Sequence, residues 1–367
     1  MPSATPGWLS ARTVHLLGGS RAFNGLEPTV HLYPTVPKER QLSFQAKAYG
    51  SIYGDLAERD VAPIGFEFLS RREEVERTIP ISWRPYLPWE KKKIWPCDDQ
   101  MQLYSQIGFA AGQQKEAQLW DVARRISHQL RVCSWRLYQL SEAYHAQLHA
   151  RIAGKEFKAG GRFEDGFTWL GYLAVQVFLV DACVLRDYLA EFYAAYGPAK
   201  GSSPHITSMS GLKRHVLNKA ATGEPVFIML KSATSDAGWL HLLGAFRDLV
   251  VHCVPLARAE ARLWALATEL PIKGVPALPG ISLPLPTNPS SVSAARSSPD
   301  RAAKLANDLN LLTGASLGTG PSTDALVYCY TCLDQLVRLA AGMSNLSAVA
   351  PKMPNFVRQP DGSMEVQ

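Results

Sequence analysis

The chain lacks a continuous apolar run long enough to cross a membrane. The longest, FTWLGYLAVQVFLV at 167–180, stops at Asp181, short of the ~18–20 residues that a membrane helix needs. The opening stretch MPSATPGWLSARTVHLLGGSRAF has no apolar centre of the kind a secretory signal requires. It carries no acidic residue before Glu27, so a transit peptide stays open beside the simpler expectation of a cytoplasmic protein with no membrane contact. Cysteine is sparse: Cys97, Cys133, Cys183, Cys253, Cys329 and Cys332 in 367 residues. That is too few for a disulfide framework. Only Cys329 and Cys332 have metal-like spacing, and neither a second pair nor a nearby His completes a zinc set. Also missing are G-x-x-x-x-G-K-[ST], G-x-G-x-x-G after a strand, G-x-S-x-G and H-E-x-x-H. Nucleotide hydrolases, dinucleotide oxidoreductases, α/β-hydrolases and zincins are disfavoured accordingly. No internal repeat is visible.

What the chain has is a sizeable apolar fraction, 47% hydrophobic and 10% aromatic, with a net charge of +6 and a pI near 8.9. The first fraction supports a packed core. The mild basicity permits an anionic partner without requiring one.

Residues 1–112 are rich in Pro and Gly and show no long helical period, so they read as an irregular extension with short strands such as TVHLYPTV and APIGFEFL. Within it, Trp83, Tyr86, Trp89 and Trp95 interleave with Arg84 and Lys91–Lys93. The aromatics either pack on the main domain or stack nucleic-acid bases. From Leu119 to Leu148, apolar residues at steps of three and four predict one long helix over 115–154, and a second over 165–196. A short helix is expected at 207–221, then a helix over 235–270 that Pro255 must break or kink. Residues 271–299, rich in Pro and Ser, read as a linker or loop. Residues 300–345 hold a weak helix and a firm one at 322–341, and the tail 346–367 reads as disordered.

One stretch joins apolar character to three ionisable groups: LLGAFRDLVVHCVPLA at 242–257, with Arg247, Asp248 and His252. Asp248 and His252 are four apart and share a helix face. A carboxylate against an imidazole orients the ring for proton transfer. Arg247 is five residues from His252, which on a regular helix puts it about 140° away. It reaches the same point only through its long side chain, a distorted helix end or a second copy of the site. Arginine holds phosphate and histidine moves protons, the pair that RNA cleavage by an internal 2′-hydroxyl needs. The spacing equally allows a surface ion network with His252 as a satisfied core histidine.

The string RDLVVH resembles the Arg-x4–6-His motif of HEPN domains, matching at Arg247, Asp248 and His252. That resemblance implies a mainly α fold, a HEPN-like up-and-down helical bundle over 113–270; the irregular, short-strand N-terminal extension, the Pro-rich loop and the 300–345 helices, expected to pack on the bundle, depart from that family's core. It implies a metal-independent endoribonuclease acting on single-stranded RNA, with no cofactor and a composite site in a homodimer. A toxin or phage-defence role, with an antitoxin or other protein partner, belongs to the same expectation. Some members of that family have lost catalysis and act as nucleotide-, RNA- or protein-binding modules.

Two further groups lie on the first long helix. Glu142, His145 and His149 share one face and contain an E-x-x-H, as helix-bundle metal sites do. No second E-x-x-H is present, so no metal is expected and Glu142 and His149 read as a solvated face. Arg124, His128 and Arg131 lie at one-turn steps with Arg125 beside them, a basic stripe able to follow an RNA backbone or simply face water.

Overall fold

The computed structural model describes residues 11–25, 28–35, 42–46, 51–89, 94–198, 205–219, 222–253, 264–287, 289–290, 300, 322–358 and 364–366. The chain divides into two compact units, each assembled from separated segments. The first takes residues 1–95, 134–179 and 245–331, and the second takes 96–133, 180–244 and 332–367.

The first unit is built on a six-stranded antiparallel sheet. Its strands are β1 (Ala11–Leu16), β2 (Arg21–Asn24), β3 (Thr29–Tyr33), β4 (Leu42–Gln45), β5 (Pro63–Leu69) and β6 (Ser82–Pro85), in the order β4-β3-β2-β1-β5-β6. Short helices α1 (Ile52–Ala57) and α2 (Arg72–Val75) lie between strands in sequence. This overturns the expected mainly α bundle with an irregular N-terminal extension: the fold is mixed α and β. The strands are only four to seven residues long, and the expected short strands TVHLYPTV and APIGFEFL supply β3 and β5 of one sheet rather than pieces of an irregular extension.

Alternation along these strands separates two chemistries. One face carries Val14, Leu16, Ala22, Val30, Leu32, Leu42 and Phe66, which form an apolar core with Ile52 and Leu56 of α1. Tyr53, Tyr86 and Trp95 pack on that core, and Trp83 is buried on the other face, so these four aromatics serve packing. The other face carries Thr13, His15, Arg21, Tyr33 and Glu67, read from the register pairs His15↔Arg21, Arg21↔Tyr33 and Thr13↔Glu67. It meets residues of α4 (Ala117–Ala153) from 134 onward.

Both long helices form where the periodicity placed them, α4 and then α5 (Gly166–Tyr196). A two-residue strand, β7 (Arg162–Phe163), separates them in sequence. By length and composition α5 is apolar enough to cross a membrane, and half of its apolar window is buried inside the protein.

The Pro-rich loop of the expected fold is also corrected. The chain forms β8 (Ala265–Ile272), β9 (Val275–Ser282) and β10 (Pro284–Pro286), where a helix end and a loop were expected. Prolines fit because β9 is the edge of the sheet β7-β8-β9, while Pro271 sits at the register shift of β8. Edges and bulges are where a strand tolerates a missing N–H. The strand β11 (Ser322–Asp324) pairs with β10 and leads into α9 (Ala325–Ser344), whose first turn is capped by Asp324 accepting from Val327 N at 3.0 Å.

The second unit is helical in its larger part. It takes α3 (Pro96–Gln113), α6 (Met209–Leu212), α7 (Pro225–Ala233) and portions of α4, α5, α8 (Trp239–Asp248) and α9, with a small hairpin of β12 (Phe356–Arg358) and β13 (Met364–Val366). Cys97, Cys133, Cys183 and Cys332 are buried free thiols of this unit. Burial raises the pKa of Cys97, Cys133 and Cys332, as expected of cysteines used as small apolar residues.

Candidate functional site

Two constellations in the first unit carry ionisable groups. At the end of α8, Arg247 and Asp248 stand at the surface, their side chains 39% and 52% exposed, joined by an ion pair of 2.7 Å from Arg247 Nη1 to Asp248 Oδ1. The helix does not continue regularly. Residues Leu249–Cys253 form a π-helical turn, in which hydrogen bonds close from i to i+5. Residues five apart then lie closer in azimuth than on a regular helix, and the turn covers most of the path from Arg247 to His252. A distorted helix end was one of the three alternatives that the spacing left open. The backbone of His252 lies in that turn; its side chain, like Pro255, lies outside the described residues. Asp248, expected to orient His252, is engaged with Arg247.

The second constellation is the polar face of the six-stranded sheet. A turn at Leu17–Gly19 joins β1 to β2. Gly19 has φ +89°, and a Cβ there would stand 2.8 Å from the Tyr144 carbonyl. Only glycine suits that combination, and it presses the turn onto α4. The Gly19 carbonyl faces His145 Nδ1 at 2.9 Å. Arg21, fully buried, donates through Nη2 to the Ser141 carbonyl and to Glu142 Oε1, each at 2.9 Å. On the neighbouring strand, His15 is fully buried between the rings of Trp83 and Tyr138, with centroids 4.7 and 5.4 Å away. Its Nδ1 lies 3.0 Å from Ser141 Oγ. Its Nε2 looks toward Glu67 Oε1 at 3.2 Å and Glu142 Oε1 at 3.8 Å. Neither carboxylate is aligned for a hydrogen bond, and Nε2 completes none.

Glu67 is fully buried as well, clasped by Arg77 with Nη2 to Oε2 at 2.9 Å and Nη1 to Oε1 at 3.3 Å. Burial, then the Arg21 charge, hold the His15 pKa well below its usual value. Burial first, then Arg21, bring His145 down to about 4. Burial, with the Glu67 charge behind it, raises Tyr138. Trp83 fixes the far side by donating its indole N–H to the Ser134 carbonyl at 3.0 Å. Its ring fills the space above Gly65, where any Cβ would overlap it.

The structure therefore divides the helix residues singled out by spacing. Glu142, though partly open to solvent, points to the sheet and pairs with Arg21. His145 follows it to Gly19, while His149 is exposed. The spacing missed His15, Arg21 and Glu67 because the partners of the E-x-x-H lie on strands, not on a second helix. In the second unit, Arg124, His128 and Arg131 are exposed. Arg124 lies over the Trp120 ring, whereas Arg125 turns aside to Asp121 and Glu191. Compared with models of protein families, with curated proteins and with solved structures, the chain matches none.

Proposed function

We propose that the protein cleaves RNA without a metal, using Arg247, Asp248 and His252. With the helical bundle set aside, the reading rests on these residues and on one observation that supports it: the π-helical turn beginning after Asp248. π-Turns are rare and concentrate at functional sites, and this one reduces the angular offset that a regular helix imposes between positions 247 and 252. In the proposed reaction the 2′-oxygen attacks the phosphorus and the bond to the 5′-oxygen breaks, leaving a 2′,3′-cyclic phosphate. His252 moves the proton, Arg247 binds and polarises the phosphate, and Asp248 releases Arg247 to orient His252 or the 2′-hydroxyl. A homodimer supplying a second copy, a cytoplasmic location and a toxin or defence role accompany this reading through the resemblance to HEPN domains. The exposed Arg124, His128 and Arg131 are proposed contacts for single-stranded RNA.

The test is incubation of single-stranded RNA with the purified chain in EDTA. Products with 2′,3′-cyclic phosphate ends are expected, and their loss in Arg247→Ala and His252→Ala while both variants stay folded. Equal cutting by both variants and the parent removes the assignment. The 2.7 Å Arg247–Asp248 pair favours a second reading, in which this helix end binds a nucleotide, RNA or protein without cutting. RNA retained on the folded chain with no cleavage would select that reading.

A further inference from the structure

The geometry points to a divalent transition-metal site formed by His15, Glu67 and Glu142, on the sheet face and separate from the proposed RNA-cleaving residues. One ligand atom from each of the three lies within 4.8 Å of the others, a spacing that a single ion can bridge. The second observation is His15 itself. Its ring is fully buried, and Nε2 faces two carboxylate oxygens while completing no hydrogen bond. A buried polar atom left in that state is costly. If Nδ1 carries the proton toward Ser141 Oγ, Nε2 turns a lone pair on the two carboxylates, an arrangement that a cation between them relieves.

The surroundings match what metal ligands require around them. A ligating imidazole has its other nitrogen tied to an oxygen, and ligating carboxylates are themselves hydrogen-bonded. Ser141 does the first for His15. Arg77 and Arg21 do the second for Glu67 and Glu142. One imidazole with two carboxylates suits a borderline ion such as Zn²⁺ or Mn²⁺. Three protein ligands leave a coordination position open. Glu142, 39% exposed, gives an ion access from solvent.

Charge sets the mode of use. The two carboxylates are already balanced by Arg21 and Arg77. The cluster is therefore tolerable without the ion, and binding is reversible. A bound divalent ion brings two extra positive charges, so the open position takes an anionic ligand such as hydroxide.

The test is calorimetric titration of EDTA-treated, desalted full-length protein with Zn²⁺, and with Co²⁺ for its visible absorption. One equivalent is expected to bind, with a Co²⁺ spectrum of mixed nitrogen and oxygen coordination. Glu142→Gln, at a half-exposed position, should keep the fold and weaken binding by at least about tenfold. His15→Gln should abolish it. His149→Ala, on the same helix but exposed, should leave it unchanged. If His15→Gln fails to fold by circular dichroism, Glu142→Gln alone decides. No stoichiometric binding, or binding unaffected by Glu142→Gln, leaves the cluster an internal ion-pair network and overturns the proposal. RNA cleavage in EDTA is read separately, so failure of one site does not stand for failure of the other.

Discussion

The helix end at Arg247 and the sheet face at His15 place ionisable residues in opposite ways. Arg247 and Asp248 are adjacent in sequence, half-exposed and paired only with each other among the described contacts. His15, Arg21, Glu67 and Glu142 come from three strands and a helix and are clasped from several sides. The first arrangement is inexpensive to keep and free to engage a ligand. The second is a polar face buried where a sheet ordinarily offers a helix apolar side chains, and it persists because nearly every charge in it is answered. Change at the sheet face should therefore register as stability, and change at the helix end as activity.

The largest effect should come from Gly65→Ala. The added methyl overlaps the Trp83 ring, and that ring is fixed by its bond to the Ser134 carbonyl. Overpacking of this kind should cost about 3 kcal/mol, read as a lowered midpoint in urea unfolding. An unchanged midpoint would mean that the polar face is not closed by Trp83. Arg77→Ala comes next, since it leaves the fully buried Glu67 without its guanidinium. Breaking a buried pair is severe, but Arg77 is itself half in solvent, so about 2 kcal/mol is expected.

The sheet face was the part least legible in the sequence, and the reason is physical. Glu142 and His145 could be grouped because a helix repeats within four residues. His15, Arg21 and Glu67 are joined to them by strand register and by a glycine turn, neither of which leaves a local period. The two long helices were legible from their apolar steps, and the strands at 29–33 and 63–69 from their short alternating pieces, whereas the joining of six strands into one sheet left no local period. Pro271, Pro276 and Pro279 read as a loop because the edge strand and bulge that tolerate them are set by strand pairing, not by local pattern. At the helix end, the angular offset between Arg247 and His252 left a long side chain, a distorted helix end or a second copy of the site as alternatives, and the backbone there forms a π-turn.

A smaller, pH-dependent effect sharpens the contrast. His145 is held neutral, its pKa brought from 6.5 to about 4 by burial and by Arg21. As pH falls below about 6.5 the unfolded chain takes up a proton that the folded chain refuses, so stability declines. The decline from this group should continue to about pH 4 and then level off. His145→Gln should flatten that part of the stability profile measured by urea unfolding. A profile unchanged by the substitution would remove His145 from the buried set. The smallest stability effect belongs to Arg247→Ala, whose side chain meets only Asp248 at the surface. It should shift unfolding by no more than about 0.5 kcal/mol; a larger loss would make Arg247 structural.

The most direct test puts the two regions in one assay: cleavage of labelled single-stranded RNA in EDTA by the parent, Arg247→Ala and Glu142→Gln, each shown to be folded. The account predicts that the parent and Glu142→Gln release fragments with 2′,3′-cyclic phosphate ends at similar rates, while Arg247→Ala releases none. Cleavage by Arg247→Ala at the parent's rate, or no cleavage by the parent, would contradict it.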